Sequence, residues 1–412
     1  MQKTTTALAV VGAILGLATV TRAEPITIDQ ALERTAHRPS VTISALDIDA
    51  AHANARGAGL PLYNPELSGG GGPQFGSGAA SFQLQIGISQ TIERGGKRSA
   101  RVEVADAQIR GSEIALRGEL LRARVETWRA FERALVLRDR LATRQEVEKL
   151  ATALAAALQQ SAQAGGTTKL RVNVVVAEAG RATQERLAAE AEYAAARAAL
   201  ATAIGAGPSE QPEPGGAVAD LPALTANPDE LVARALREHP AVATSDNLVA
   251  VAKARIDDAD ARGTPDVTLG LGYAYAPDPD GSHALVGTIS VPLAIRNRNE
   301  GERARARIGA KRADVERVYE RVEVERGVRL AVENYQRARA AVAGFDKAVT
   351  QRLDENLAAA QDAFAKGGLD FVELTTTQRD LIGSRISFLE ARLALVNAWA
   401  DLALATTLEV KP

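Results

Sequence analysis

Proline placement constrains this chain more than any other feature of its sequence. Its sixteen prolines fall in clusters and leave two stretches without any, 134 residues over 74–207 and 119 residues over 293–411. A proline inside a helix removes a hydrogen bond and clashes with the preceding turn, at about 3 kcal/mol or more. Long helices are therefore confined to those two stretches. A length of 412 residues alone would allow about three compact domains. The proline spacing argues against three equal globules. Aromatic residues make up only 4%, and alanine carries much of the 46% apolar content, which suits close helix packing better than a thick core.

The two stretches belong to a duplicated chain. His37-Arg38-Pro39 recurs as Glu238-His239-Pro240, and Asn64-Pro65-Glu66-Leu67 as Thr264-Pro265-Asp266-Val267. Ile88-Ser89 recurs as Ile289-Ser290, and Gly165-Gly166 as Gly367-Gly368, all in one order at offsets of about 200–202. The spacing predicts a first structural repeat over 24–204, an irregular linker over 205–227 and a second repeat over 228–412. Each repeat reads as short helices, a β-hairpin, a very long helix, a Gly-Gly break and another long helix. The hairpins are placed at about 66–92 and 266–292, and the helices at about 97–163, 168–204, 300–365 and 369–408. Some 60 residues of helix, at about 1.5 Å each, span on the order of 90 Å, wider than a globular domain. In the last helix Phe371, Leu374, Gln378, Leu381, Arg385, Phe388, Arg392, Leu395, Trp399 and Leu402 step by three and four, the pattern of a helix-bundle core.

Residues 1–23 read as a secretory leader: Lys3, an apolar run from Ala7 to Val20, then Thr21-Arg22-Ala23. No second apolar stretch of about 18 residues follows, so an exported chain of this kind is soluble outside the cytoplasm or crosses a membrane as strands. Ser81–Ile92 (SFQLQIGISQTI) supports the second route. Phe82, Leu84, Ile86 and Ile88 alternate with Gln83, Gln85, Gly87 and Ser89. Val267, Leu269, Leu271, Tyr273 and Tyr275 alternate in the same way with Thr268, Gly270, Gly272 and Ala274. The turns between strands, Pro73–Gly78 and Pro277–His283, have good turn composition. Four strands cannot close a barrel, and open edges are untenable in lipid. Two copies would supply eight strands, a width that fills with side chains, whereas three would supply twelve and leave a lumen. The small and polar inward residues favour three.

These features together resemble the TolC-like outer-membrane factor family. The likeness rests on the duplicated helix–hairpin–helix plan, the two Gly-Gly breaks and Gly367-Gly368-Leu369-Asp370-Phe371-Val372-Glu373-Leu374 running into Thr377-Gln378. The segment Val291-Pro292-Leu293-Ala294-Ile295-Arg296-Asn297-Arg298-Asn299-Glu300 is similar to the corresponding turn of the heavy-metal (cobalt–zinc–cadmium type) efflux subfamily. The resemblance implies a mainly α fold with a small β part: a homotrimeric, twelve-stranded outer-membrane β-barrel on an α-helical periplasmic tunnel. It implies an exit duct that works with a periplasmic adaptor (a membrane fusion protein) and a proton-driven, RND-type inner-membrane pump, surrounded by outer-membrane lipid. Drug or protein export by the same kind of duct, and a soluble periplasmic coiled-coil adaptor, are the alternatives.

No catalytic site is legible. Cysteine is absent, which removes thiolate chemistry and thiolate metal sites, and His37, His52, His239 and His283 are scattered. No metal site or cofactor is expected. His37 and His239, each near a proline, read as helix-end residues. The Gly69–Gly78 stretch lacks the Lys-Ser/Thr of a phosphate loop. Lys plus Arg number 49 against 51 acids, so no basic excess points to nucleic acid. The functional candidates flank the Gly-Gly breaks. Gly165, Gly166, Gly367 and Gly368 place short turns at the far end of the tunnel, as adaptor-docking tips. The resemblance puts an acidic inner-wall position on Glu373, with Asp370 one turn earlier and Thr376 at the family's second acidic position. Arg171 is the repeat counterpart of Glu373, with Lys169 close by. These four are expected to form a cation-attracting constriction, with Arg171 as the ion-pair partner that holds it shut.

Overall fold

The computed structural model describes residues 25–74, 81–276, 282–345 and 352–409. The expected leader over 1–23 and most of both β-turns lie outside the described residues.

Each half starts with helices whose ends are written in the sequence. α1 (Ile28–Arg34) opens on a capping box between Thr27 and Gln30. α2 (Pro39–Ala58) follows, with proline in its first turn, where no N–H is needed. The strands β1 (Glu66–Gln74) and β2 (Ser81–Ile92) lead into α3 (Lys97–Gln163) and α4 (Lys169–Ala203). The second half repeats the order with α5 (Pro228–Glu238), α6 (Pro240–Arg262), β3 (Val267–Ala276), β4 (Ser282–Ser290), α7 (Glu300–Ala343), α8 (Leu353–Ala365) and α9 (Phe371–Thr406). Both α5 and α6 also begin on proline, capped by the side chains of Asn227 and His239. His239 accepts from the Ala241 N–H through Nδ1 at 3.2 Å, and burial lowers its pKa. Every described proline thus lies outside a helix interior.

α3 is one helix of 67 residues, on the order of 100 Å long. Ala100, Ala107, Ile114, Trp128 and Leu135 are buried along it in seven-residue register. Val175, Ala182, Ala189, Ala196 and Ala203 do the same in α4. A seven-residue repeat keeps one seam against the partner helix by supercoiling, and alanine lets the backbones approach closely. The second half departs from the single helix expected over about 300–365. α7 ends at Ala343, capped by Gly344, and α8 starts at Leu353. Glycine is a poor helix continuer, and just beyond it the Phe345 ring packs edge-on against Phe388 of α9 at 5.7 Å.

The four strands form one antiparallel sheet in the order β1-β2-β3-β4. The register pairs Leu67 with Ile88, Leu84 with Tyr275, Ile86 with Tyr273, Leu269 with Ile289 and Tyr273 with Leu285. One face is therefore an apolar row, while Ser68, Gln83, Gln85, Thr268 and Thr288 share the other. The middle of β1, Gly69–Gly72, has no side chains, and the Phe82 ring covers Gly71 so closely that an added Cβ would lie 3.1 Å from it. α2, α3, α6 and α7 pack side by side in the same order as the strands.

The core lies at mid-height in two clusters. Trp128, Phe131, Leu135, Leu200, Val396 and Ala400 form one, and Leu231, Val232, Val328, Val332, Tyr335 and Leu402 the other. Trp399 packs on both, its ring 5.2 Å from that of Tyr335. The inter-repeat segment expected to be an irregular linker has no helix but is firmly held. It forms a bridge from Pro214 to Ile26. Arg138 donates to the Pro214 and Gly216 carbonyls, Arg197 to those of Gln211 and Pro212, and the Tyr335 hydroxyl to Pro222 at 2.5 Å. Arg392 of α9 donates to the carbonyls of Val218 and Ala219, and buried Glu132 of α3 accepts from the Ala219 N–H at 2.8 Å.

Glu132 gives this clasp a pH signature. Burial raises its pKa, against the Ala219 N–H and the Arg392 charge, which lower it. A raised carboxyl favours protonation in the folded protein, so its contribution is most favourable in acid and is lost as pH rises through the folded pKa. Glu132→Gln should flatten the thermal-stability profile between about pH 5 and pH 8, with the wild type losing ground to the variant as pH rises. Glu132→Ala, which leaves the Ala219 N–H unpaired, should cost about 1–3 kcal/mol at the acid end of that range and less as pH rises. Thermal unfolding of detergent-solubilised protein at the two pH values reads both effects.

Candidate functional site

The two Gly-Gly breaks build one turn twice. After α3 the backbone turns at Gly165 (φ +77°), where the Gly165 N–H bonds Ala162 O at 3.1 Å and the Gly166 N–H bonds Ser161 O at 2.8 Å. After α8 the pattern repeats at Gly367 (φ +75°), with Gly367 N–H to Phe364 O at 3.0 Å and Gly368 N–H to Ala363 O at 2.8 Å. These are Schellman caps, whose left-handed position favours glycine because a Cβ there strains the backbone. The next helix then starts at equivalent places. Thr168 caps α4 by accepting from the Arg171 N–H at 3.4 Å. Asp370 caps α9 by accepting from the Glu373 N–H at 2.7 Å.

The second turn closes further. The Glu373 carboxylate accepts from the Asp370 N–H at 2.8 Å and completes a capping box. The structure thus brings Asp370 and Glu373 together and gives both a local task. It leaves Lys169 and Arg171 exposed in the first turn of α4. Among the described residues no ion pair joins Arg171 to Glu373 within one copy. Arg379 of α9 instead pairs with Glu178 of α4 at 3.1 Å, about two turns into the helices. The sequence reading missed this pair, although the two positions are 201 apart, matching the repeat offset. Around it lies a cavity of about 310 Å³ between α3, α4 and α9, lined by Val147, Leu150, Leu154, Val175, Glu178 and Arg379.

At the opposite end of the helices, the strand-to-helix junction is ionic. Lys97 and Asp266, both mostly buried, pair at 2.7 Å across the two repeats, and Asp266 also accepts from the Arg94 N–H and the Tyr63 hydroxyl. Arg101 pairs with Glu93, and Glu93 accepts from the Leu62 N–H. Each long helix leaves this junction through a left-handed residue, Gly96 (φ +73°) before α3 and Asn299 (φ +66°) before α7. The Asn-Arg-Asn turn therefore has a backbone role. The Asn297 side chain accepts from the Asn299 N–H at 2.9 Å, and the Asn299 side-chain amide donates to Ala259 O at 2.9 Å.

Among the described residues no three His, Asp or Glu side chains gather as metal ligands. No described helix is long and apolar enough to cross a membrane. The sheet carries a full apolar row instead, with Leu67, Phe82, Ile88, Leu271, Leu285 and Ile289 all more than half exposed in one copy.

Comparison with known proteins accounts for this arrangement. The sequence profile of the outer membrane efflux protein family matches residues 27–206 and again 231–407, one match in each repeat. The cobalt-zinc-cadmium resistance protein CzcC of Cupriavidus metallidurans is 26% identical over 303 residues, 72% of this chain and 71% of CzcC. Among solved structures, a membrane protein from Pseudomonas aeruginosa superposes with a TM-score of 0.74 at 19% identity, over 92% of this chain and 90% of that one. The open state of the Neisseria gonorrhoeae MtrE outer membrane channel superposes with a TM-score of 0.71 at 18% identity, over 92% and 88%. This is the TolC-like fold, in which three copies set a shared β-barrel on a helical tunnel. The soluble-adaptor alternative falls with that match. The chain belongs to the outer membrane efflux protein family: it is an outer-membrane channel reaching into the periplasm, and not an enzyme.

Proposed function

We propose that this channel is the exit duct of a tripartite, proton-driven efflux system that exports heavy-metal cations. The similarity to the cobalt-zinc-cadmium resistance protein carries the choice of cargo. A passive channel has no energy source of its own, so the driving force comes from an RND-type pump in the inner membrane, joined by a periplasmic adaptor. The turns at Gly165-Gly166 and Gly367-Gly368 are the docking tips for that adaptor. Beside the first turn, Leu170 of α4 is 73% exposed and offers an apolar contact.

Three copies of Asp370 and Glu373 gather carboxylates where the helices converge, a ring that favours cations. Both side chains keep free oxygen lone pairs after capping. Because Arg171 has no carboxylate partner among the described residues of its own copy, its partner in the closed mouth is Glu373 of a neighbouring copy, with Lys169 adding charge. Exposed pairs of this kind are worth about 0–1 kcal/mol each, which suits a mouth that an adaptor opens.

Two experiments test this. Deleting the gene should raise sensitivity to cobalt, zinc and cadmium while leaving drug and dye sensitivity unchanged. The reverse pattern would assign the duct to drug export. In planar bilayers, Glu373→Gln removes the charge but keeps a capping-box acceptor. It should therefore leave stability unchanged and weaken block by divalent cations, whereas Arg171→Ala should raise conductance. Asp370→Ala should instead cost about 1 kcal/mol through the lost helix cap. Unchanged conductance and unchanged cation block in both Glu373→Gln and Arg171→Ala would sink the constriction.

A further inference from the structure

We propose that the segments joining barrel to tunnel form an interfacial collar that seats the channel on the phospholipid headgroups of the outer membrane's inner leaflet. The proposal rests on the outer-membrane placement and is independent of the cargo.

The apolar row of β4 does not stop where strand pairing stops. Leu285 and Ile289 are 79% and 77% exposed, and the row continues past Ser290 to Leu293, which is 78% exposed. The chain then turns tightly, Ile295 N–H to Leu293 O at 2.9 Å, and leaves Ile295 75% exposed. On the other edge of the sheet, the segment leading into β1 presents Leu60 and Leu62 at 63% and 61% exposure. Both segments lie at the helix end of the strands, which is the periplasmic side. Exposed aliphatic residues at that height meet the boundary between acyl chains and headgroups.

Charge decides between lipid and a neighbouring copy as the occupant. Arg296 follows Ile295 directly, is exposed, and makes no ion pair among the described residues. Three acids at this junction are already engaged. Glu93 is held by Arg101 and the Leu62 N–H, Asp266 by Lys97, Tyr63 and the Arg94 N–H, and Glu300 by the Arg298 N–H. Glu66 shares the polar face of the sheet with Ser68 and Gly70. Of the acids named here, a second copy therefore leaves none free for Arg296 on the apolar side of the sheet, whereas a phospholipid brings a phosphate, whose oxygens the planar guanidinium binds in pairs.

The lack of cysteine makes the test clean. Single Leu293→Cys, Leu62→Cys, Ile289→Cys and Thr288→Cys variants are labelled with an environment-sensitive fluorophore. They are reconstituted as trimers, verified by size exclusion, in phosphatidylethanolamine–phosphatidylglycerol vesicles containing brominated lipid. Labels at 293 and 62 should be quenched by the lipid bromine as the label at 289 is, while the label at 288 is not. Adding Arg296→Glu should cut quenching at 293 by about half or more and leave 289 unchanged. A label at 293 that is quenched by aqueous iodide but not by lipid would overturn the collar. So would one shielded from both, which would mean that a neighbouring copy covers it. If the label at 289 also escapes lipid quenching, the barrel placement fails and the collar falls with it.

Discussion

Two unpaired sheet edges govern this molecule. β1 and β4 each leave a row of backbone N–H and C=O groups without partners in one copy, and lipid offers none, at a cost of several kcal/mol per buried group. The sheet can enter a bilayer only when copies join edge to edge. The helices obey the same order, because α2, α3, α6 and α7 continue the strand order below the membrane. A seam that closes in the barrel therefore has to close in the tunnel as well. Ile43 and Leu46 stay exposed on α2, as do Ile308, Val315, Tyr319 and Val322 on α7, at the two ends of the helix row.

A tube of this length has a second problem, which is how to end helices cleanly. The structure solves it with backbone conformations that the two repeats share and residues that they do not. Gly96 and Asn299 both occupy the left-handed position ahead of a long helix, glycine by lacking a Cβ and asparagine with its side-chain amide bonded to Ala259. Thr168 and Asp370 both cap the helix after a Schellman turn. Around the middle, the proline-rich segment between repeats is pinned by Arg138, Arg197, Arg392 and Tyr335 to helices of both halves, and so works as a strap.

Much of this was legible because it follows from local chemistry. Proline-free stretches marked the long helices, alternation marked β2 and β3, and paired glycines marked the tips. β1 gave a weak signal, since a Gly69–Gly72 run carries no pattern and owes its order to β2 and the Phe82 ring. The break at Gly344 was invisible because a lone glycine is tolerated in many helices, and the contact between Phe345 and Phe388 beside it is long-range. The linker looked irregular because its hydrogen bonds run to side chains far away in sequence. At the tips, the residue types near the turns could be read, but their partners could not. Glu373 turned inward to its own helix start, and the tie between α4 and α9 fell to Arg379 and Glu178.

The two ends of the repeat are under different demands, and this explains where the halves have diverged. Strands must match in register and in apolar row, a demand that β2 and β3 meet side by side where the two halves join. A helix tip needs only an oxygen acceptor at the cap and a residue free to turn left-handed before it. Threonine and aspartate meet that need equally, and the charge of the following turn is left free. The first repeat uses the freedom for Lys169 and Arg171, the second for Asp370 and Glu373. A ring of three copies then carries six tips of alternating sign on one backbone design. Electrostatic character at these tips can change while the turn keeps its glycine and backbone hydrogen bonds, provided that a capping oxygen stands where Thr168 and Asp370 now place one.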